Sequence, residues 1–204
     1  MPKPDFVTDD VCVAADWIKQ GRVLAYPTES VWGLGCNPFD ERAVKELLRL
    51  KSRAVDKGLI VVTASDGLLQ GFFGGLSYCQ QEKIMHSWRS APHERQATTW
   101  LFPIPKDLPT PIPTWLTGDK NSLAVRVISH EKIAKLCDVL KSQHAISYGF
   151  LVSTSCNPTA LPPATDLMMA YEYFGNGVCY LKGEVLGYDK PSQIIDVMTG
   201  EVIR

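Results

Sequence analysis

The segment Arg22-Val-Leu-Ala-Tyr-Pro27-Thr-Glu-Ser-Val-Trp-Gly-Leu-Gly35 begins as an apolar run and breaks into hydroxyls, a carboxylate and two glycines. Residues Arg22–Tyr26 read as a buried strand, and Pro27, which has no N–H to donate, stops it. The polar groups therefore fall at a strand end, the place where open α/β sheets usually bind ligands. Gly33 and Gly35 would let backbone N–H groups approach such a ligand closely. The same residues also suit an ordinary strand-to-helix turn with Thr28 or Ser30 as its N-cap, and the segment alone leaves both readings open.

On either side the punctuation alternates between helix and strand. Asp9 or Asp10 can cap a helix that turns Val11, Ala14, Ala15 and Ile18 inward and ends at Gly21. Asp40 caps a second, through Val44, Leu47, Leu48 and Leu50, and Gly58–Thr63 is a β-branched strand. Helical patterns follow near 66–73 and 78–88, with strands at Thr99–Phe102, Ser122–Ile128 and Phe150–Thr154. His130–Lys141 reads as a helix with Ile133, Leu136, Cys137 and Leu140 inward; a helix near 165–174 and a strand at Val178–Leu181 come next. Ile194–Ile203 looks like a hairpin turning at Thr199-Gly200. The five prolines of Pro103–Pro113 suit a rigid surface crossing within one unit. These elements predict an α/β domain around a twisted sheet, with residues 1–204 as a single domain.

Totals exclude several classes. Lys+Arg number 21 against 22 Asp+Glu, a formal charge of -1, so the chain lacks the basic excess of a broad nucleic-acid grip. Any attraction for anions must be local. No run approaches the roughly 18 apolar residues of a membrane span, and Met1–Phe6 has no signal-peptide core, so a cytoplasmic location and no membrane are expected. The six cysteines are scattered with no metal spacing, and read as reduced thiols, mostly in the core; no metal site is expected.

Three further segments carry chemistry. Between Glu41 and Lys57 six basic residues face three acidic ones, a local +3 that either complements a helix C-terminus or binds an anion. If the helix ends near Lys51, the extended chain beyond it lets Lys51 and Arg53 aim at one anion together, with Lys57 nearby. In Phe150-Leu-Val-Ser-Thr-Ser-Cys-Asn-Pro158 an apolar strand breaks into polar groups, and Ser153, Ser155 and Asn157 could line one face. Arg126 lies in the middle of an apolar strand and needs either a buried carboxylate or an anionic ligand in a pocket.

Together these residues resemble the YrdC/TsaC family. Pro27-Thr-Glu-Ser-Val-Trp-Gly-Leu-Gly35 is similar to its PTETxYGLG-like opening motif, and Lys51-Ser-Arg53 to its KxR segment. Ser122-Leu-Ala-Val-Arg126-Val resembles its later Arg strand, and Ser153-Thr-Ser-Cys-Asn157 its S-x-N segment. Trp115-Leu-Thr-Gly118 and Pro191-Ser-Gln-Ile-Ile-Asp196 also match, in order, from about residue 8 onward. The resemblance implies a single α/β domain with a twisted, open, mixed sheet, YrdC/DHBP-synthase-like, enclosing a basic cavity. It also implies the chemistry: L-threonine and bicarbonate form N-carboxy-threonine, whose carboxylate attacks the α-phosphorus of ATP and expels pyrophosphate. The resulting threonylcarbamoyl-AMP passes to partner proteins that modify tRNA, and Mg²⁺ arrives on the ATP phosphates.

On that reading Lys51 and Arg53 clamp phosphate, and Ser155 and Asn157 contact nucleotide or carbamate. Thr28, Ser30, Lys57, Thr99, Arg126 and Ser153 complete the substrate site. The chemistry requires no side-chain nucleophile, only charge compensation and in-line placement. The rival is an RNA-binding paralogue of the same fold without adenylate-forming activity; direct tRNA contact is left open. Two departures stand out. The family's Trp-Pro-Gly-Pro-x-Thr is replaced by a longer Trp88–Thr99 segment, and its Ser-Gly after the S-x-N segment by Thr159-Ala160, which is tolerable only where φ stays negative.

Overall fold

The computed structural model describes residues 4–89 and 96–204. Its nine strands form one sheet in the order Val7–Thr8, Cys179–Leu181, Leu24–Pro27, Trp32–Gly35, Leu151–Ser155, Ile60–Thr63, Ser122–Val127, Thr98–Pro103 and Gln193–Asp196. A short strand missed in the sequence, β1 (Val7–Thr8), runs into α1 (Val11–Lys19), whose N-cap is Asp10: its carboxylate accepts from the Cys12 N–H. The helix buries the four residues expected of it.

β2 (Leu24–Pro27) follows, and here the structure departs from the simplest reading of the opening segment. Trp32–Gly35 is a second strand, β3, paired antiparallel with β2 from Leu24↔Gly35 to Pro27↔Trp32. The polar motif is thus the turn of a hairpin and not the entry to a helix. The reason lies in the glycines: a Cβ at Gly35 would sit 2.0 Å from the Val152 carbonyl oxygen, so only glycine lets β3 lie this close to its neighbour.

Asp40 caps α2 (Glu41–Lys51) through the Arg42 and Ala43 N–H groups, and Ser52 ends it in the left-handed region at φ 50. β4 (Ile60–Thr63), β6 (Ser122–Val127) and β7 (Leu151–Ser155) build the centre of the sheet, with β5 (Thr98–Pro103) beyond β6. α3 (Gln70–Phe73), α4 (Tyr78–Arg89) and a short α5 (Thr114–Thr117) lie between them in sequence, followed by α6 (Glu131–Ser142), which packs on α1. α7 (Leu167–Phe174) precedes β8 (Cys179–Leu181), and β9 (Gln193–Asp196) closes the sheet at its other edge. Val202 bridges back to Ile195, the expected terminal hairpin in reduced form, with Gly200 at φ 74 in its turn. Parallel and antiparallel pairs alternate irregularly, so the sheet is mixed.

Cross-strand register sorts the residues of the central strands between two faces. Val61, Val125, Val152 and Leu34 are fully buried on one. On the other, Gly33 lies opposite Ser155, Ser153 opposite Ile60, Ile60 opposite Ala124 and Ala124 opposite Leu101. That second row is short side chains and modest aliphatics, a floor with room above it.

Candidate active site

A cavity of about 470 Å³ stands on that floor. Seven of the ten residues expected from sequence line it: Thr28, Ser30, Arg53, Lys57, Arg126, Ser153 and Ser155. Lys120, Lys190 and Arg204 join them, so six cationic side chains border the space, against Asp189 as the carboxylate among its lining residues. Positive charge is concentrated here although the chain as a whole carries -1.

Arg53 reaches the cavity because α2 stops at Ser52. The left-handed turn redirects the chain, and the guanidinium Nη2 donates to the Gly58 carbonyl at 3.0 Å. Its Nε–H is buried with no acceptor among the described residues, and burial holds the guanidinium below its ordinary pKa. Arg126 is the penultimate residue of β6, 8% exposed, with its Nη1 3.3 Å from the Glu29 carboxylate and its Nε–H likewise without an acceptor among the described residues. This arginine thus has a carboxylate partner and also lines the cavity. Arg204 donates through Nη2 to the Ser192 carbonyl at 3.1 Å. Burial lowers its pKa first, and repulsion from Arg126 and Arg53 lowers it further, which is the electrostatic signature of three guanidiniums crowded together.

Three expected residues stand elsewhere. Lys51 is 3% exposed and does not line the cavity; its ammonium donates to the carbonyls of Ser155 and, at 2.7 Å, Asn157. Asn157 turns away too, its amide donating to the carbonyls of Pro158 at 3.1 Å and Leu161 at 2.5 Å while its Oδ1 lies 3.4 Å from the Lys51 ammonium. Lys51 and Arg53 thus do not converge on one point as the extended-chain argument expected, because the left-handed Ser52 between them breaks the two-residue alternation. Lys51 instead fastens the end of β7, the strand that presents Ser153 and Ser155. Thr99 is fully buried and does not line the cavity; its Oγ1 lies 3.0 Å from the Oγ of Ser192, which does. Much of the long Trp88–Thr99 segment, residues 90–95, lies outside the described residues.

A strap, residues 182–192, forms one wall. Its backbone N–H groups donate from Leu186 to the Thr28 carbonyl at 3.2 Å and from Tyr188 to the Glu29 carbonyl at 2.9 Å. Tyr188 through Ser192 line the space, and only Pro191-Ser192 had been picked out from sequence, as part of a family stretch. The Thr159-Ala160 departure has a structural cost, since Ala160 sits at φ 72, where glycine would be unstrained.

The model of the Sua5/YciO/YrdC family, described as telomere recombination, matches residues 16–204. The chain belongs to that family. Relatives named threonylcarbamoyl-AMP synthase include that of Psychrobacter cryohalolentis, 49% identical with 97% of each chain covered. Another, from Acinetobacter baylyi, is 43% identical over 97% of this chain and 98% of its own. Among solved structures, P. abyssi Sua5 complexed with L-threonine superposes with a TM-score of 0.79 at 26% identity. The match covers 95% of this chain and 53% of that one, so this family member spans about half the length of that protein. E. coli YciO, at 19% identity and a TM-score of 0.72, shares the fold. No helix among the described residues is long and apolar enough to cross a membrane.

Proposed function

We propose that this chain is an L-threonylcarbamoyladenylate synthase, acting as a single YrdC-like domain in the cytoplasm. The amine of L-threonine condenses with bicarbonate, losing water, to give N-carboxy-threonine. One oxygen of the new carboxylate then attacks the α-phosphorus of ATP, the bond to the bridging oxygen breaks, and pyrophosphate leaves. Magnesium enters with ATP as part of the substrate. The product serves partner proteins that modify tRNA.

The observation that carries this reading is the convergence of Arg53, Arg126 and Arg204 on one hydroxyl-floored cavity, with two buried Nε–H donors lacking an acceptor among the described residues. Such donors are costly unless an acceptor meets them, and an oxyanion is the strongest partner for a guanidinium. A substrate pair bearing a triphosphate and two carboxylates supplies several. Arg53, with Lys57 beside it, binds phosphate. Arg126, next to Thr28, binds a carboxylate or the phosphate nearest the reacting centre. Ser30, Ser153 and Ser155 orient threonine and its carbamate. Lys51 and Asn157 act one layer back, as positioning residues that fix the end of β7. Walling off water protects both the carbamate and the mixed anhydride.

The test is pyrophosphate release from ATP by the purified chain. Release that requires both threonine and bicarbonate is expected; release independent of threonine refutes the reading.

A further inference from the structure

Glu29 lies in the hairpin turn that supplies Thr28 and Ser30, and it is 1% exposed. A carboxylate so deep needs strong partners. Its Oε1 accepts from the Ser129 N–H at 2.8 Å, beyond the end of β6, and its Oε2 lies 3.3 Å from Arg126 Nη1 with no hydrogen bond among the described residues. Its own carbonyl accepts from Tyr188 N–H in the strap. One residue therefore joins the hairpin turn, the Arg126 strand and the strap, each of which lines the cavity.

We propose that Glu29 is the positioning residue for Arg126, and the assignment rests on the reaction proposed above. A guanidinium has two edges that can take an oxyanion in parallel. Glu29 engages Nη1, which leaves the edge bearing the orphaned Nε–H for ligand. Without the carboxylate, the long side chain has no charged anchor among the described residues and the fork can rotate off the ligand. The ligand is an oxyanion: the carboxylate of threonine or of its carbamate, or a phosphate of ATP.

The test is a double-mutant cycle of Glu29→Gln and Arg126→Ala. It is read by initial rates and by equilibrium binding of L-threonine and of ATP, which needs no turnover. Gln keeps the shape and can still accept from Ser129, so thermal unfolding should show a folded protein. Glu29→Gln is expected to weaken the KM and binding of one substrate by about tenfold or more. In the Arg126→Ala background it should change them less than about twofold. A threonine-only effect identifies the carboxylate, and an ATP-only effect the phosphate. Where Glu29→Gln does not fold, Glu29→Asp replaces it, lengthening the contact without removing the charge. Additive effects, or wild-type constants in the Glu29 variant, overturn the assignment while leaving the reaction intact. A wild-type chain that releases no pyrophosphate overturns the reaction and the assignment with it.

Discussion

Replacing Lys51 with Met should change how stability depends on pH, with a sign that burial fixes. Lys51 lies under β7, and removal from water lowers its pKa from the ordinary 10.5 to about 8, with the nearby Arg53 charge lowering it further. Between those two values the unfolded chain keeps the proton and the folded chain gives it up, so the lysine's contribution to unfolding free energy rises with pH. The fall from 10.5 to about 8 corresponds to about 3 kcal/mol. The unfavourable contribution is full below pH 8 and is gone above pH 10.5. Urea melts of wild type and Lys51→Met at intervals from pH 7 to 10.5 measure it, because groups common to both chains cancel in the difference. Wild type should gain about 3 kcal/mol on the variant across that range, at equal m-values. A flat difference would refute the reasoning. So would a loss on raising the pH, which would mean that the Ser155 and Asn157 carbonyls retain the proton more strongly than burial expels it.

Arg53→Ala should raise the KM for ATP by about 10- to 100-fold, since one charge-assisted phosphate contact is lost, while thermal unfolding stays near wild type; an unchanged KM would remove Arg53 from the phosphate site. Cys36, Cys137, Cys156 and Cys179 are buried and Cys12 and Cys79 exposed. Burial pushes the Cys156 thiol up to about 12, so a thiol reagent at neutral pH should count two fast groups in the native chain and six in denaturant. Ala160→Gly should stabilise by about 0.5–1 kcal/mol in denaturant melts, because it relieves a left-handed Cβ at some cost in unfolded-chain entropy; destabilisation would show that Ala160 is unstrained.

Local chemistry was readable wherever one residue type does one job. Asp10 and Asp40 as caps, the inward residues of α1 and α6, and the β-branched core strands all follow from nearest-neighbour rules. The hairpin at Tyr26–Gly35 was not readable, because its turn is polar and its second strand holds two glycines, a composition that propensity assigns to loops. Gly35 makes sense only once Val152 is known to pass within contact distance, and no window of sequence contains both. The two-residue alternation that placed Lys51 beside Arg53 failed for a related reason: Ser52 adopts a left-handed conformation that a serine does not announce.

The cavity's charge was hidden more deeply still. The local +3 of residues 41–57 looked like its source, yet on α2 Lys45 pairs with Glu41 at 2.9 Å and Arg49 with Glu46 at 2.7 Å. Those pairs remove the outer face of the helix from consideration, and the helix-terminus explanation accounts for it well. What that segment gives the cavity is Arg53 and Lys57; the remaining cations come from Lys120, Arg126, Lys190 and Arg204, positions that composition cannot connect. They meet because β6 carries Arg126 and begins just after Lys120, while the strap crosses from β8 to β9 and the chain end pairs back on β9. The buried carboxylate of Glu29 stands beside them, one oxygen held by the Ser129 N–H and the other ion-paired with Arg126 at 3.3 Å. Adding it opposes the concentration of positive charge, so its value cannot lie in attraction for anions. It lies in aiming a guanidinium that has no other carboxylate partner among the described residues.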